Sequence, residues 1–141
     1  MPDKILFPNE TIIKTELFDA RQDWETPIPG FFIVASVRKI KSVADFTNKE
    51  ASEFIRLVCK LRQGMKEALG INDVYLFQNE QTSHHDFHLW IFPRYQWMEQ
   101  FGRKIESVRP IINYAKENMQ NESIFAEVRD CVQKMREYMK F

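Results

Sequence analysis

The chain has few of the features that mark secreted, membrane-spanning or nucleic-acid-coating proteins. Only 2 of its 141 residues are cysteine, which excludes a disulfide-built scaffold. Its 20 Lys and Arg residues balance 20 Asp and Glu residues, so binding of long nucleic acid through phosphate neutralisation is not expected. No apolar run approaches membrane-spanning length, and the N-terminus lacks the basic and apolar regions of a signal peptide. These absences predict a soluble, cytoplasmic protein that contacts no membrane.

The chain does have ample apolar and aromatic material for a core. Hydrophobic residues make up 44% of it and 12 residues are phenylalanine, enough for one core in a chain of this size. Cys59 and Cys131 fall on apolar faces of predicted helices, so we expect both to be buried, reduced thiols. The whole chain, 1–141, is therefore predicted to be one domain.

The order of strand and helix patterns predicts an α+β fold. Five stretches are rich in β-branched and aromatic residues and are predicted strands: 11–17, 18–24, 31–37, 74–78 and 87–92. The third of these is apolar without polar alternation, which is typical of a strand buried on both faces at the middle of a sheet.

Helical periodicity is clearest in the middle and at the end of the chain. Thr47 and Glu50 form a capping-box pattern, and apolar residues then recur at three- and four-residue spacing up to Gly70. Two further amphipathic stretches follow Pro93, at about 105–140. The pattern predicts a core at about 11–95 and a C-terminal helical extension.

All 3 histidines lie in one short segment, at positions 84, 85 and 88. Imidazole titrates near neutral pH and is also a good nucleophile and metal ligand, so this segment is the candidate reactive centre. In a regular strand alternate residues share a face. One face would then carry a polar row ending in aromatic rings, namely His84, Asp86, His88, Trp90 and Phe92. The other face would be mostly apolar and turned to the core, with His85, Phe87, Leu89 and Ile91.

The segment 86–94, Asp-Phe-His-Leu-Trp-Ile-Phe-Pro-Arg, resembles the signature of the histidine triad (HIT) family, in which three histidines alternate with apolar residues before Pro-Arg. The stretch 29–40 is similar to the family's Pro-Gly-led strand, and 43–47 to the entry of its long helix. The resemblance implies an antiparallel sheet with one long helix packed on it, here with extra C-terminal helices. Within the family, the chain looks like a divergent relative of the diadenosine tetraphosphate hydrolase-like nucleotide hydrolases.

The resemblance also implies an activity. Members bind a nucleotide or dinucleotide, and their middle histidine attacks the α-phosphorus to form a nucleotidyl-histidine, which water or another acceptor resolves. By position, the middle histidine is His88. Ser83 stands where some members contact phosphate or leaving group, and Trp24 where the family builds its base pocket. Further hydrogen-bond donors to the substrate are expected from Gln78, Asn79 and Gln81. No cofactor is implied, and the family commonly forms two-fold homodimers.

The chain departs from the family pattern on both sides of His88. Asp86 stands at the first histidine position and Trp90 at the third, and an indole N–H can donate a hydrogen bond but cannot deliver a proton. If the strand bulges near Asp86, His85 would turn onto the face of His88 and take the first position. The regular and the bulged strand are both open at this point.

Two other classes of function compete with the enzyme. The altered triad is compatible with a nucleotide-binding module or partner protein that has little turnover. Alternatively, His84, Asp86 and His88 could supply two imidazoles and a carboxylate to a metal ion from one face of the strand, although no fourth ligand is evident.

Overall fold

A computed structural model describes residues 5–80 and 86–140 of the chain. Five antiparallel strands form one sheet: β1 (Thr11–Lys14), β2 (Phe18–Gln22), β3 (Phe32–Ser36), β4 (Val74–Gln78) and β5 (His88–Pro93). Their order across the sheet is β1-β2-β3-β5-β4. The strand β3 lies at the centre, where Phe32, Ile33 and Val34 are all buried. Both the α+β class and the two-faced burial of this strand are confirmed.

The long helix α1 (Asn48–Leu69) begins and ends where the sequence predicts. The Thr47 hydroxyl accepts a hydrogen bond from the Glu50 N–H at 3.1 Å, and the Glu50 carboxylate accepts one from the Thr47 N–H at 2.8 Å. This capping box satisfies two amide groups that would otherwise lack partners at the helix start. Gly70 ends the helix at φ 69°, a left-handed conformation that glycine adopts without strain.

The two C-terminal helices pack on opposite faces of the sheet. The last one, α3 (Glu122–Met139), lies beside α1 and adds Val132 and Met135 to the core beneath the sheet. Gly64 of α1 allows this close approach, because a Cβ there would meet the Tyr138 ring at 2.7 Å. The preceding helix, α2 (Val108–Asn118), covers the other face of the sheet.

Arg94 anchors the chain between β5 and α2. Its guanidinium is buried and donates hydrogen bonds to the Ser107 hydroxyl at 3.1 Å and to the Gly102 carbonyl at 2.7 Å. The segment between these elements includes two short 3-10 helices, Gln96–Phe101 and Ile105–Ser107. Arg94 therefore helps to place the start of α2 over the end of the sheet.

An ion pair between the exposed Arg38 and the buried Glu50 joins the chain after β3 to α1. Arg38 donates to the two Glu50 carboxylate oxygens at 3.1 and 2.8 Å, and Glu50 is only 3% exposed. The Arg38 hydrogen bonds, together with the Thr47 N–H, lower the pKa of Glu50 to about 2.

The expectation for the cysteines is wrong for Cys59, which is exposed. The buried stripe of α1 runs through Leu57, Val58 and Leu61, and the residue after Val58 is rotated by one helical step toward solvent. Cys131 is half-buried, and burial raises the pKa of its thiol to about 11. In the part of the chain that the structure describes, no helix is both long and apolar enough to span a membrane.

Candidate active site

The strand β5 alternates as the sequence predicts. Phe87, Leu89 and Ile91 are buried in the core shared with α1. His88 and Trp90 are half-buried, and they point to the other face of the sheet. Pairing with β3 and β4 is regular from His88 onward. The described part of the strand therefore places the histidine on the face that α2 covers.

The indole of Trp90 contacts two other rings. Phe77 lies directly opposite it in the register of β4 and β5, and the two rings stack with centroids 5.5 Å apart and an interplanar angle of 19°. The His88 imidazole also packs against the indole, with ring centroids 4.8 Å apart and planes inclined at 60°. The third triad position thus supplies an aromatic wall beside His88.

A cleft of about 560 Å³, which we call the sheet–α2 cleft, opens beside Trp90. Its apolar walls come from both the sheet and α2, and include Phe31, Phe77, Trp90, Val108 and Ile112. Gln78 and Asn79, both predicted substrate contacts, line it as well. A cleft of this size that combines aromatic and aliphatic walls with several polar side chains suits a small polar ligand that carries a flat aromatic ring.

Charged groups of both signs stand around this cleft. Asp23 is buried, and that burial raises the pKa of its carboxyl despite a hydrogen bond involving Thr26. Lys116 of α2 lies 3.3 Å from the Glu25 carboxylate, and Arg109 of the same helix lines the cleft too. The cleft therefore offers both carboxylate acceptors, including Glu106, and positive charge.

Sequence reasoning missed Asp23, Arg109 and Lys116. For Asp23, the usable signal was a carboxyl near the end of a predicted strand and three residues before the Thr26-Pro27 turn. No signal was available for the two basic residues, because an amphipathic pattern does not reveal which sheet face a helix will cover.

Asp86, at the first triad position, is an ion-paired carboxylate. The Lys41 ammonium lies 3.2 Å from one of its oxygens and the Lys39 ammonium 3.6 Å from the other. The hydrogen bond from Lys41 keeps the pKa of Asp86 below its usual value. The ammonium groups of Lys39 and Lys41 and the carboxylate of Asp86 therefore form one ionic cluster, and Asp86 is two residues before His88 in the chain.

Several predicted site residues lie outside the described residues, namely Gln81, Ser83, His84 and His85. Their roles stay predictions, as does the choice between a regular and a bulged strand before Asp86. Within 5–80 and 86–140, no three His, Cys, Asp or Glu side chains are grouped to hold a metal ion. The metal hypothesis also requires His84, so it remains untested.

Trp24 is not among the residues that line the sheet–α2 cleft, although Asp23 and Glu25 on either side of it are. The Arg21 guanidinium lies 4.8 Å from the centre of its ring. His88 is not among the described lining residues of the cleft either; it adjoins the cleft through the contact of its ring with Trp90. The base contact expected of Trp24 stays a prediction.

Solved histidine triad proteins share this fold. A HIT-like protein from Bartonella henselae, described as involved in cell-cycle regulation, is 16% identical with a TM-score of 0.61, over 92% of this chain and 85% of that one. A hypothetical histidine triad nucleotide-binding protein from Sulfolobus tokodaii is 14% identical with a TM-score of 0.62, over 93% and 85%. A zinc-bound histidine triad protein from Mycobacterium smegmatis is 15% identical with a TM-score of 0.58, over 92% and 88%.

At these identities the likeness establishes the architecture. The chain has the histidine triad fold, with its antiparallel sheet, long helix and C-terminal helices. No protein-family model and no curated protein sequence matches it.

Proposed function

We propose that this protein is a divergent histidine triad protein that binds a nucleotide in the sheet–α2 cleft and attacks its α-phosphorus with His88. One observation carries the proposal: the His88 ring contacts Trp90, and Trp90 forms a wall of the cleft. A base stacked against that wall would leave its phosphates close to the histidine.

The residues around His88 suit such a reaction. An imidazole nitrogen forms a bond to the α-phosphorus while the bond to the leaving group breaks, and water then hydrolyses the nucleotidyl-histidine to release the nucleotide. Lys39 and Lys41, which lie within 3.6 Å of the Asp86 carboxylate, can offset negative charge on the phosphate oxygens. Asp23 and Thr26 line the sheet–α2 cleft and can offer acceptors for sugar hydroxyls.

The direct test is mass spectrometry of the protein after brief mixing with nucleotides. The panel contains a dinucleoside polyphosphate, a nucleoside phosphoramidate and a sugar nucleotide, since all three permit attack at the α-phosphorus. We expect a nucleotidyl adduct on wild type and none on His88→Ala, because the nitrogen that forms the bond is gone.

Nucleotide affinity should largely survive in His88→Ala, because the ring acts mainly in the chemical step. His85→Ala is the matched control, since it removes a neighbouring imidazole. An adduct that persists in His88→Ala and disappears in His85→Ala would move the nucleophile to His85. Unchanged turnover in both variants would overturn the mechanism.

A nucleotide-binding module with little turnover is the second candidate, and the flanking residues favour it. Trp90 cannot protonate a leaving group, and the Asp86 carboxylate is held as an anion by two lysines. In the same experiment this candidate predicts saturable nucleotide binding with no adduct and no product. A catalytic protein would bind the nucleotide and also give the adduct and the product.

A further inference from the structure

A second cleft, of about 430 Å³, lies on the side of α2 that faces α3. We call it the aromatic cleft, because Tyr95, Trp97 and Tyr114 line it. Two carboxylates of α3, Glu127 and Asp130, stand at the same opening. It shares no lining residue with the sheet–α2 cleft, so it is a separate site.

The aromatic wall is held in place by its own contacts. The rings of Trp97 and Tyr114 lie 5.4 Å apart at an angle of 37°, and Phe101 packs against both at 6.4 and 5.6 Å. The Tyr95 hydroxyl donates a hydrogen bond to the Pro29 carbonyl, which ties that ring to the turn before β3. A ligand would therefore meet a largely formed surface and would not need to order it.

The charge at this cleft is negative. Among the described residues that line it, Glu127 and Asp130 are acidic and none is Lys or Arg. Asp130 is partly neutralised by Lys134, whose ammonium lies 3.0 Å from its carboxylate. The sheet–α2 cleft differs in this respect, because Arg109 and Lys116 line it beside the carboxylates of Asp23, Glu25 and Glu106. Among the described lining residues, the aromatic cleft has carboxylates and no Lys or Arg, so it is the better suited of the two to a cation.

We propose that the aromatic cleft binds a small organic cation with an N-methylated ammonium group. Methylated ammonium is weakly hydrated and is attracted to the faces of Trp and Tyr rings, an interaction that strengthens when water is excluded. The carboxylates of α3 add attraction at the rim, and Met119 and Ile124 supply apolar contact for the carbon skeleton. The volume is in the range of small-ligand sites.

The test is a titration of the full chain with choline, followed by the indole N–H signals in an NMR spectrum. The chain has 3 tryptophans, and the Trp97 signal is identified by its loss in Trp97→Phe. Choline should shift the Trp97 signal in a saturable way and leave that of Trp90 unchanged. The neutral isostere 3,3-dimethylbutan-1-ol should bind about tenfold more weakly, because it lacks the cation–π attraction. Equal binding of the two compounds at constant ionic strength would overturn the proposal.

Two charge variants on α3 should act in opposite directions. Glu127→Gln should weaken choline binding by about two- to fivefold, as expected for an exposed charge pair. Lys134→Gln should strengthen it by a similar factor, because Asp130 then faces the ligand without its lysine. Glu137→Gln, on the same helix but outside the cleft, is the matched control and should leave the affinity unchanged. Loss of affinity in both Glu127→Gln and Lys134→Gln would indicate a general disturbance of α3 and contradict the proposal.

Discussion

His88 has an aromatic neighbour on one side along β5 and an ion-paired carboxylate on the other. Neither neighbour is suited to proton transfer: the Trp90 indole does not titrate, and Lys41 and Lys39 stabilise Asp86 as an anion. What these residues can supply is a surface for stacking and a local excess of positive charge. The leaving group must then depart with little help from a general acid.

Trp90→His should therefore change which substrates the protein cleaves. Nucleotides with good leaving groups should be cleaved well by wild type, and those with amine or alkyl leaving groups poorly. The new imidazole should raise turnover on the poor leaving groups by up to about 10²- to 10⁴-fold, and on the good ones by much less. Steady-state rates on a matched series of nucleotide esters measure this difference.

Trp90→Phe is the control for lost packing, since it keeps a ring against Phe77 but adds no titrating group. Its rates should fall or stay level across the whole series. If wild type and the histidine variant both bind nucleotides and cleave none of them, the binding module becomes the better description.

At the scale of elements, the Arg38–Glu50 pair fastens the chain after β3 to the start of α1. The pKa of Glu50 is about 2 in the folded protein, against an ordinary value of 4.5. Its carboxylate therefore stabilises the fold fully above about pH 4.5, and this contribution is lost as the pH falls toward about 2.

Glu50→Gln should lower the melting temperature at neutral pH. It should also remove the loss of stability that protonation of Glu50 causes at low pH. The difference in melting temperature between wild type and Glu50→Gln should shrink as the pH is lowered from about 5 to about 2.5. Thermal melts followed by circular dichroism at several pH values measure it. Glu53→Gln, one turn further along α1, is the matched control and should show a smaller difference at neutral pH. A constant gap for Glu50→Gln across this range would contradict the assignment.

The elements that the sequence predicts best are those specified by local chemistry. The bounds of α1 follow from the Thr47–Glu50 box and Gly70, and the alternation of β5 follows from its apolar residues. That His88 lies on the face of the sheet opposite α1 could therefore be predicted from the sequence. The resemblance around 86–94 likewise led to the correct fold.

The parts that could not be predicted depend on contacts between distant segments. An apolar stripe shows that α2 and α3 each have a buried side, but not that they cover opposite faces of the sheet. The sheet–α2 cleft and its basic residues exist because α2 packs on the face of the sheet opposite α1. The Asp86–Lys41 pair joins residues 45 positions apart, so no local pattern indicates it. Cys59 was misplaced because it lies beside the buried stripe of α1, not in it.

At the scale of the whole molecule, the sheet ends at β4, and this edge is partly apolar. Leu76 pairs with Ile91 across the β4–β5 ladder, so both side chains point to the α1 face, and Leu76 is 49% exposed. An edge strand presents unpaired N–H and C=O groups that a second chain can bond. The formal net charge of zero adds little repulsion between copies.

We therefore expect the chain to form a homodimer in which two β4 strands pair about a two-fold axis. Leu76→Lys should convert the dimer to a monomer, because each symmetric copy would bring a buried positive charge to the contact. Sedimentation equilibrium measures the mass, and circular dichroism should show an unchanged fold, since Leu76 is half-exposed within one copy. Ile5→Lys is the matched control: Ile5 is 62% exposed, and the N–H of the next residue, Leu6, bonds the Trp24 carbonyl after β2, three strands from β4, so its charge should leave the dimer intact. A wild type that stays monomeric at every concentration would refute the dimer. A Leu76→Lys protein as dimeric as wild type would instead place the interface elsewhere on the surface.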